Sequence, residues 1–154
     1  MELIPARVVR VIASSSDEFA VVVKTPQKVF LIFVGPAEAF TIYRDLKDSK
    51  PRRPLAHDLL MNIIGGFDVG VDKVVISSIV NNTFCGTVFL SQEYRGSDEG
   101  ERQVLRLDSR ASDAMILAIK SECELLVTST VLDQVEDVTE LLEAAGDGDA
   151  FPSI

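Results

Sequence analysis

Val34-Gly35-Pro36-Ala37-Glu38-Ala39 ends an apolar run and opens a helix, because proline at a first helical position gives up only an N–H that the helix leaves unbonded. The same junction recurs later. Pro36-Ala37-Glu38-Ala39 lines up with Ala111-Ser112-Asp113-Ala114, each with an acid third, where a carboxylate meets free N–H groups and the positive helix end. The flanks match as well. Runs 3–13, 18–25 and 28–35 are rich in Val, Ile and Phe and read as a three-strand meander followed by a helix to about Leu46. Runs 73–80, 83–93 and 101–108 read as a second meander. Its first turn is at Asn81-Asn82, and a helix from Ala111 to Ser121 follows. The chain therefore reads as a duplicated three-strand-plus-helix unit, an α+β domain of mostly antiparallel strands packed around one core.

Between the two units lies Lys47 to Arg53, a polar basic loop, and then Pro54-Leu55-Ala56-His57-Asp58-Leu59-Leu60. This reads as a further helix with Leu55, Leu59, Leu60, Ile63 and Ile64 on one side, stopped by Gly65-Gly66. His57 is expected about a quarter turn or more off that stripe, and Asp58 is expected to face away from it. After the second unit come a short strand at Leu125–Thr128 and helical patterning over 131–135 and 138–145. The final Gly-Asp-Gly-Asp-Ala-Phe-Pro-Ser-Ile is expected to fray. The expected division is a domain over 1–135 and an acidic helix and tail over 136–154.

A chain of 154 residues that is 47% hydrophobic suits one packed domain. No apolar run reaches the roughly 18 residues of a membrane span. The N-terminus lacks the basic-then-apolar order of a signal peptide. Cys85 and Cys123 match no metal or redox spacing, which fits a reducing cytoplasm. The net charge of −9 is localised. All 15 Lys and Arg lie within residues 1–120 with 15 of the 24 acids; residues 121–154 carry the other nine acids and no base. A neutral body with a local basic cluster does not oppose a polyanion, whereas a uniformly acidic one would.

The chemistry-bearing residues fall in two places. His57 is the only histidine. The positive end of its helix disfavours imidazolium, leaving the ring as a base or metal ligand. Asp58 beside it could orient water or a metal. Lys47, Lys50, Arg52 and Arg53 put four cations within seven residues, with Arg53 best suited to grip phosphate oxygens. Asp108-Ser109-Arg110 sets a carboxylate, a hydroxyl and a guanidinium before the second helix, where Asp108 or Ser109 could instead cap it. The duplication gives Glu38 and Asp113 a structural explanation. One histidine excludes a two-histidine metal site within one chain, so a divalent ion there would need carboxylates and water, which favours Mg²⁺ or Mn²⁺ over zinc. There is no glycine-rich phosphate loop, HExxH or Gly-x-Ser-x-Gly elbow.

Val34–Ala39, Arg53–Leu60 and Asp108–Ala114, in this order and spacing and with Val131-Leu132 after the last strand, resemble the bifunctional nuclease domain family of bacteria and plants. The resemblance covers about residues 3–133. It implies a compact, self-associating α+β domain with DNase and RNase activity. The chain departs from the family pattern at Ala56, where threonine is common, and at Ala111, where proline is common.

The residues and the resemblance together give a cytoplasmic, metal-assisted nuclease of low sequence specificity. His57 is the base or a metal partner, and Asp58 and Asp108 are metal or water-orienting carboxylates. Arg110 stabilises charge at phosphorus; Arg53, Arg52 and Lys50 bind substrate. The rivals are a non-enzymatic oligomeric binding module that uses these groups structurally or for a small anion, and a regulatory domain acting through the acidic tail.

Overall fold

A computed structural model describes residues 1–14, 16–92 and 103–145. The expected strand ends at 93 and 101–102 and the expected frayed tail lie outside the described residues. The first unit is β1 (Leu3–Ala13), β2 (Phe19–Lys24), β3 (Val29–Val34) and α1 (Pro36–Leu46). The intervening helix α2 runs over Ala56–Gly66. The second unit is β4 (Val69–Val80), β5 (Thr83–Gln92), β6 (Gln103–Arg110) and α3 (Ala111–Ser121). β7 (Glu124–Thr128), α4 (Ser129–Gln134) and α5 (Thr139–Ala145) follow. The chain is α+β, with the two meanders as expected.

The strands form one seven-stranded sheet in the order β3-β2-β1-β7-β4-β5-β6. β7 joins the two units, antiparallel to β1 and parallel to β4. β1 changes partner along its length. Leu3–Ala6 pair with β7, Arg7 onward pairs with β2, and a register shift between Val8 and Arg10 bends the strand there. The bend curls the sheet. Phe30 on β3 stacks on Phe84 of β5 with ring centroids 6.1 Å apart. In a flat sheet five strand spacings would separate them by about 24 Å.

α1 and α3 pack on each other and on the sheet, and the core collects Val21, Val23, Phe30, Ile42, Val74, Ile76, Met115, Ile116 and Val127. Asn81 and Asn82 both adopt positive φ, at 50° and 61°, which sets a two-residue hairpin between β4 and β5. After α4, Asp137 Oδ1 accepts from the Val29 N–H and Val138 N–H donates to the Val29 carbonyl, so the segment past residue 135 is tied to the start of β3.

Gly86 is where α3 touches β5 most closely. A Cβ built there would lie 2.6 Å from the Ala114 Cβ. Neither atom ends a flexible side chain, so helix or strand would have to move. Gly86→Ala is expected to cost about 1–3 kcal/mol, read as a lower midpoint in urea with an unchanged slope.

Three sequence expectations shift. β4 begins at Val69, earlier than 73, because its first residues pair with Gln92, Ser91 and Leu90. β6 runs on to Arg110, which pairs with Cys85, so Asp108 and Ser109 are strand residues and neither caps α3; Arg110 holds the cap position. The largest change concerns α2. It starts at Ala56 with Leu55 at its cap position, so Pro54 lies outside the helix. The expected apolar core stripe points outward. Leu55, Leu59, Leu60 and Ile63 are 42–54% exposed, and only Ile64 of that set packs against the core. The side facing the domain is His57, Asp58, Met61 and Ile64. On that side α2 meets the polar side chains of α3, with His57 at Asp113 and Asp58 at Lys120.

Candidate functional site

α1, α2 and α3 meet in two polar clusters, both on the inner side of α2. In the first, Asp113 in the opening turn of α3 is the hub. Its Oδ1 lies 2.9 Å from His57 Nε2, and its Oδ2 accepts from Arg110 Nε at 2.8 Å. Arg110 Nη2 also donates to Asp113 Oδ1 at 3.1 Å and to Glu38 Oε1 on α1 at 3.0 Å. A chain of unlike charges, Glu38–Arg110–Asp113–His57, thus crosses three helices. Arg110 is 62% exposed at the side chain, while Glu38, His57 and Asp113 are 18%, 21% and 30% exposed. These bonds use Nε and Nη2 of Arg110 and leave Nη1 out.

The electrostatics follow from these bonds. Arg110 holds the Asp113 carboxyl below its usual range, with His57 adding to the effect and burial opposing it. The two carboxylates raise the Arg110 pKa further, Asp113 most of all. Asp113 is therefore an ionised acceptor at neutral pH. A neutral His57 facing it places its proton on Nε2, which leaves the lone pair on Nδ1; this tautomer is assigned from the hydrogen bond.

The second cluster centres on Lys120, whose side chain is 11% exposed. Its Nζ donates to Asp58 Oδ1 at 2.6 Å and to Asp45 Oδ1 at 3.1 Å, with Asp45 Oδ2 also 3.1 Å away. Asp58 Oδ2 accepts the Leu55 N–H at 3.0 Å, the returning half of a capping box. Lys120 first and this backbone bond second hold the Asp58 carboxyl below its usual range. Burial works against the charge on Lys120, but the bonds to Asp58 and Asp45 outweigh it and its pKa is raised. Next to this cluster opens a cavity of about 520 Å³ lined in part by Asp48, Lys50, Asn62 and Glu122.

The structure brings His57 and Arg110 together, through Asp113. Asp58 lies on the side of α2 away from the apolar stripe, as expected; because the stripe points outward, that side turns inward and Asp58 meets the buried Lys120 ammonium. Asp108 is exposed on β6, the last strand of the sheet, opposite Thr87. Arg52 and Arg53 are exposed ahead of α2, and Lys50 lines the cavity mouth. The carboxylates expected to hold a metal do not fit a preformed site. Both Asp58 oxygens are already bonded, and among the described residues no three His, Cys, Asp or Glu side chains gather around a common point.

Sequence reading missed Asp113 and Glu38 as partners of the site, and Lys120 and Asp45 entirely. The signal for the first two was visible. Acids at matching positions of a duplication face each other when the two helices pack, and a single arginine beside one of them is placed to bridge both. Lys120 gave no such signal, since a lysine near a helix C-terminus is ordinary.

No helix among the described residues is long and apolar enough to cross a membrane. Two uncharacterised proteins of Mycobacterium tuberculosis, from two strains, are each 24% identical to this chain over 103 residues. The matched stretch is 67% of this chain and 56% of each relative, so the chain aligns with little more than half their length. The bifunctional nuclease domain model matches residues 21–140, which spans α1, α2, the arginine-bearing end of β6 and α3. The chain belongs to the bifunctional nuclease domain family.

Proposed function

We propose that the chain cleaves phosphodiester bonds of DNA or RNA with low sequence specificity, using His57 as general base. The observation that carries this is the Asp113–His57 pair, 2.9 Å long, with Arg110 bonded to the same carboxylate. Asp113 fixes the ring and balances the charge that develops when Nδ1 takes a proton from the attacking hydroxyl or water, whose oxygen bonds to phosphorus as the opposite P–O bond breaks and the leaving oxygen takes a proton from solvent. Arg110 Nη1 donates to a non-bridging oxygen as charge builds on phosphorus. Arg52, Arg53 and Lys50 seat neighbouring phosphates and carry no base information. Asp58 acts at a distance from the chemistry, by holding α2 to Lys120.

The Mg²⁺ or Mn²⁺ requirement expected from the sequence has no preassembled set of ligands here, so no step is assigned to a metal. Its test is cleavage before and after exhaustive EDTA treatment.

The test of the reading as a whole uses purified protein on end-labelled single- and double-stranded DNA and RNA. Endonucleolytic products from the wild type, lost in His57→Ala, are expected. Absence of cleavage on all four substrates, with and without added divalent ions, would sink the proposal. A second reading has its own supporting observation: Glu38 and Asp113 already occupy three of the five Arg110 N–H groups. On that reading the cluster is a structural clasp and the chain binds nucleic acid without cutting it. Salt-dependent binding without products would favour it.

A further inference from the structure

We propose that the cavity between the 48–54 loop, α2 and the end of α3 takes up one guanine base of a bound nucleic-acid strand, with the strand's phosphates left at the rim. The inference rests on the nucleic-acid reading above and adds a preference for one base to it. At about 520 Å³ the cavity lies within the roughly 300–1,000 Å³ of small-molecule sites, room for a single unstacked base with its sugar. Its walls are of two kinds. Pro51, Pro54, Met61 and Ile119 offer apolar surface to the faces of a flat ring. Asp48, Asn62 and Glu122 offer polar groups to its edge. A nucleobase has the matching division, apolar on both faces and hydrogen-bonding around its rim.

Charge decides which part of a nucleotide enters. Asp45, Asp48, Asp58 and Glu122 line the cavity against Lys50 and Lys120, and Lys120 is already bonded to Asp45 and Asp58. That balance repels a phosphate from the interior. The cations stand outside. Arg52 and Arg53 are exposed, and in the chain they sit between two lining residues, Pro51 and Pro54. A strand whose phosphates rest on Arg52 and Arg53 therefore has a base within reach of the opening. A lysine or arginine from a protein partner would also suit the acids, but these two arginines at the rim would repel it.

The excess of acceptors also chooses among the bases. Asp48 and Glu122 take no part in the Lys120 cluster. A carboxylate accepts and cannot donate, and it binds best to two parallel N–H groups. Guanine presents such a pair, N1–H and the 2-amino group, on its Watson–Crick edge. Adenine and cytosine set their amino group beside a ring nitrogen that is itself an acceptor. Thymine and uracil set one N–H between two carbonyls. In each of these four a carboxylate oxygen meets a like acceptor.

Isothermal titration of the full chain with nucleoside 5′-monophosphates tests this. These probes contain no phosphodiester, so the result does not depend on cleavage. Guanosine monophosphate should bind about tenfold more tightly than inosine monophosphate, which lacks only the 2-amino group and so one hydrogen bond to a charged acceptor. Asp48→Asn with Glu122→Gln should remove that preference. Both positions are exposed and have positive φ, 52° and 54°, which the amide side chains accommodate as the acids do, so the melting temperature should stay near that of the wild type. Asn62→Trp, at an exposed lining position, should fill the cavity and weaken guanosine monophosphate by about tenfold or more. Equal affinity for the guanosine and inosine compounds, a double variant that keeps the preference, or full binding by Asn62→Trp would overturn the site. Binding of tetralysine, with none of the monophosphates bound at millimolar concentration, would overturn it in favour of a basic protein segment. A guanine preference in a chain that cuts no nucleic acid would remove the nuclease reading and leave the base site standing.

Discussion

Replacing His57 with alanine is expected to lower kcat for phosphodiester cleavage by about 10²–10⁴, the range typical of a general base. KM should change little, because the groups proposed to hold substrate phosphates, Arg52, Arg53 and Lys50, lie outside the Asp113 cluster. Asp113→Asn should lose nearly as much. An amide can donate to Nε2 and so move the ring proton to Nδ1, which is the wrong tautomer for a base there. Arg53→Ala should show the reverse pattern, raising KM with kcat nearly unchanged. The split separates chemistry from structure. A clasp that merely holds the fold would lower the amount of folded protein in both variants, visible as a lower melting temperature, without a selective effect on kcat. Activity of His57→Ala above about a tenth of wild type would remove the ring from the mechanism.

The same carboxylate gives a pH expectation for stability. Arg110 first, and His57 after it, hold Asp113 below its ordinary value, and Lys120 does the same for Asp58. A carboxylate depressed in the folded state contributes stability above its unfolded pKa, about 3.9. It loses that contribution as the pH falls through the lower folded value. Denaturant midpoints should thus be flat with respect to these groups near neutrality and fall below about pH 4.

The second large effect is on stability. Lys120→Met is expected to cost about 2–3 kcal/mol near pH 7, somewhat under the roughly 3–5 kcal/mol seen when one partner leaves a fully buried pair. Methionine keeps the length of the side chain but leaves Asp45 and Asp58 facing each other with no cation between them. At about 2–4 °C per kcal/mol for a chain of this size, the melting temperature should drop by roughly 5–10 °C. The sign with pH is opposite to that of the wild type. Without Lys120 the Asp58 carboxyl loses the main cause of its lowered pKa, it takes a proton more readily, and the gap between variant and wild type should narrow as the pH approaches 4. A constant gap from pH 7 to pH 4 would show that lost packing of the lysine stem, not unpaired charge, sets the cost. Because Asp58 anchors α2 through this lysine, the variant should also lose some cleavage through a loosened His57.

Local rules made much of the fold readable. Strand periodicity, Gly35-Pro36 at one helix start and Asn81-Asn82 in a hairpin act over a few residues, so the two meanders and the first helix of each unit followed from the chain alone. So did the family, since three motifs in register carried it and the match over residues 21–140 agrees. What sequence could not decide was which side of α2 turns inward. Periodicity shows that Leu55, Leu59, Leu60 and Ile63 share a face, but a helix buries whichever face meets its best partners. Here those partners are Asp113 and Lys120, 56 and 62 residues away from His57 and Asp58. Ion pairs at that separation leave no local trace. Only the packing of α1 against α3, which faces Glu38 toward Arg110 and Asp45 toward Lys120, decided that two acids explained by duplication join one cluster with Arg110, and that the most apolar face of α2 points away from the domain.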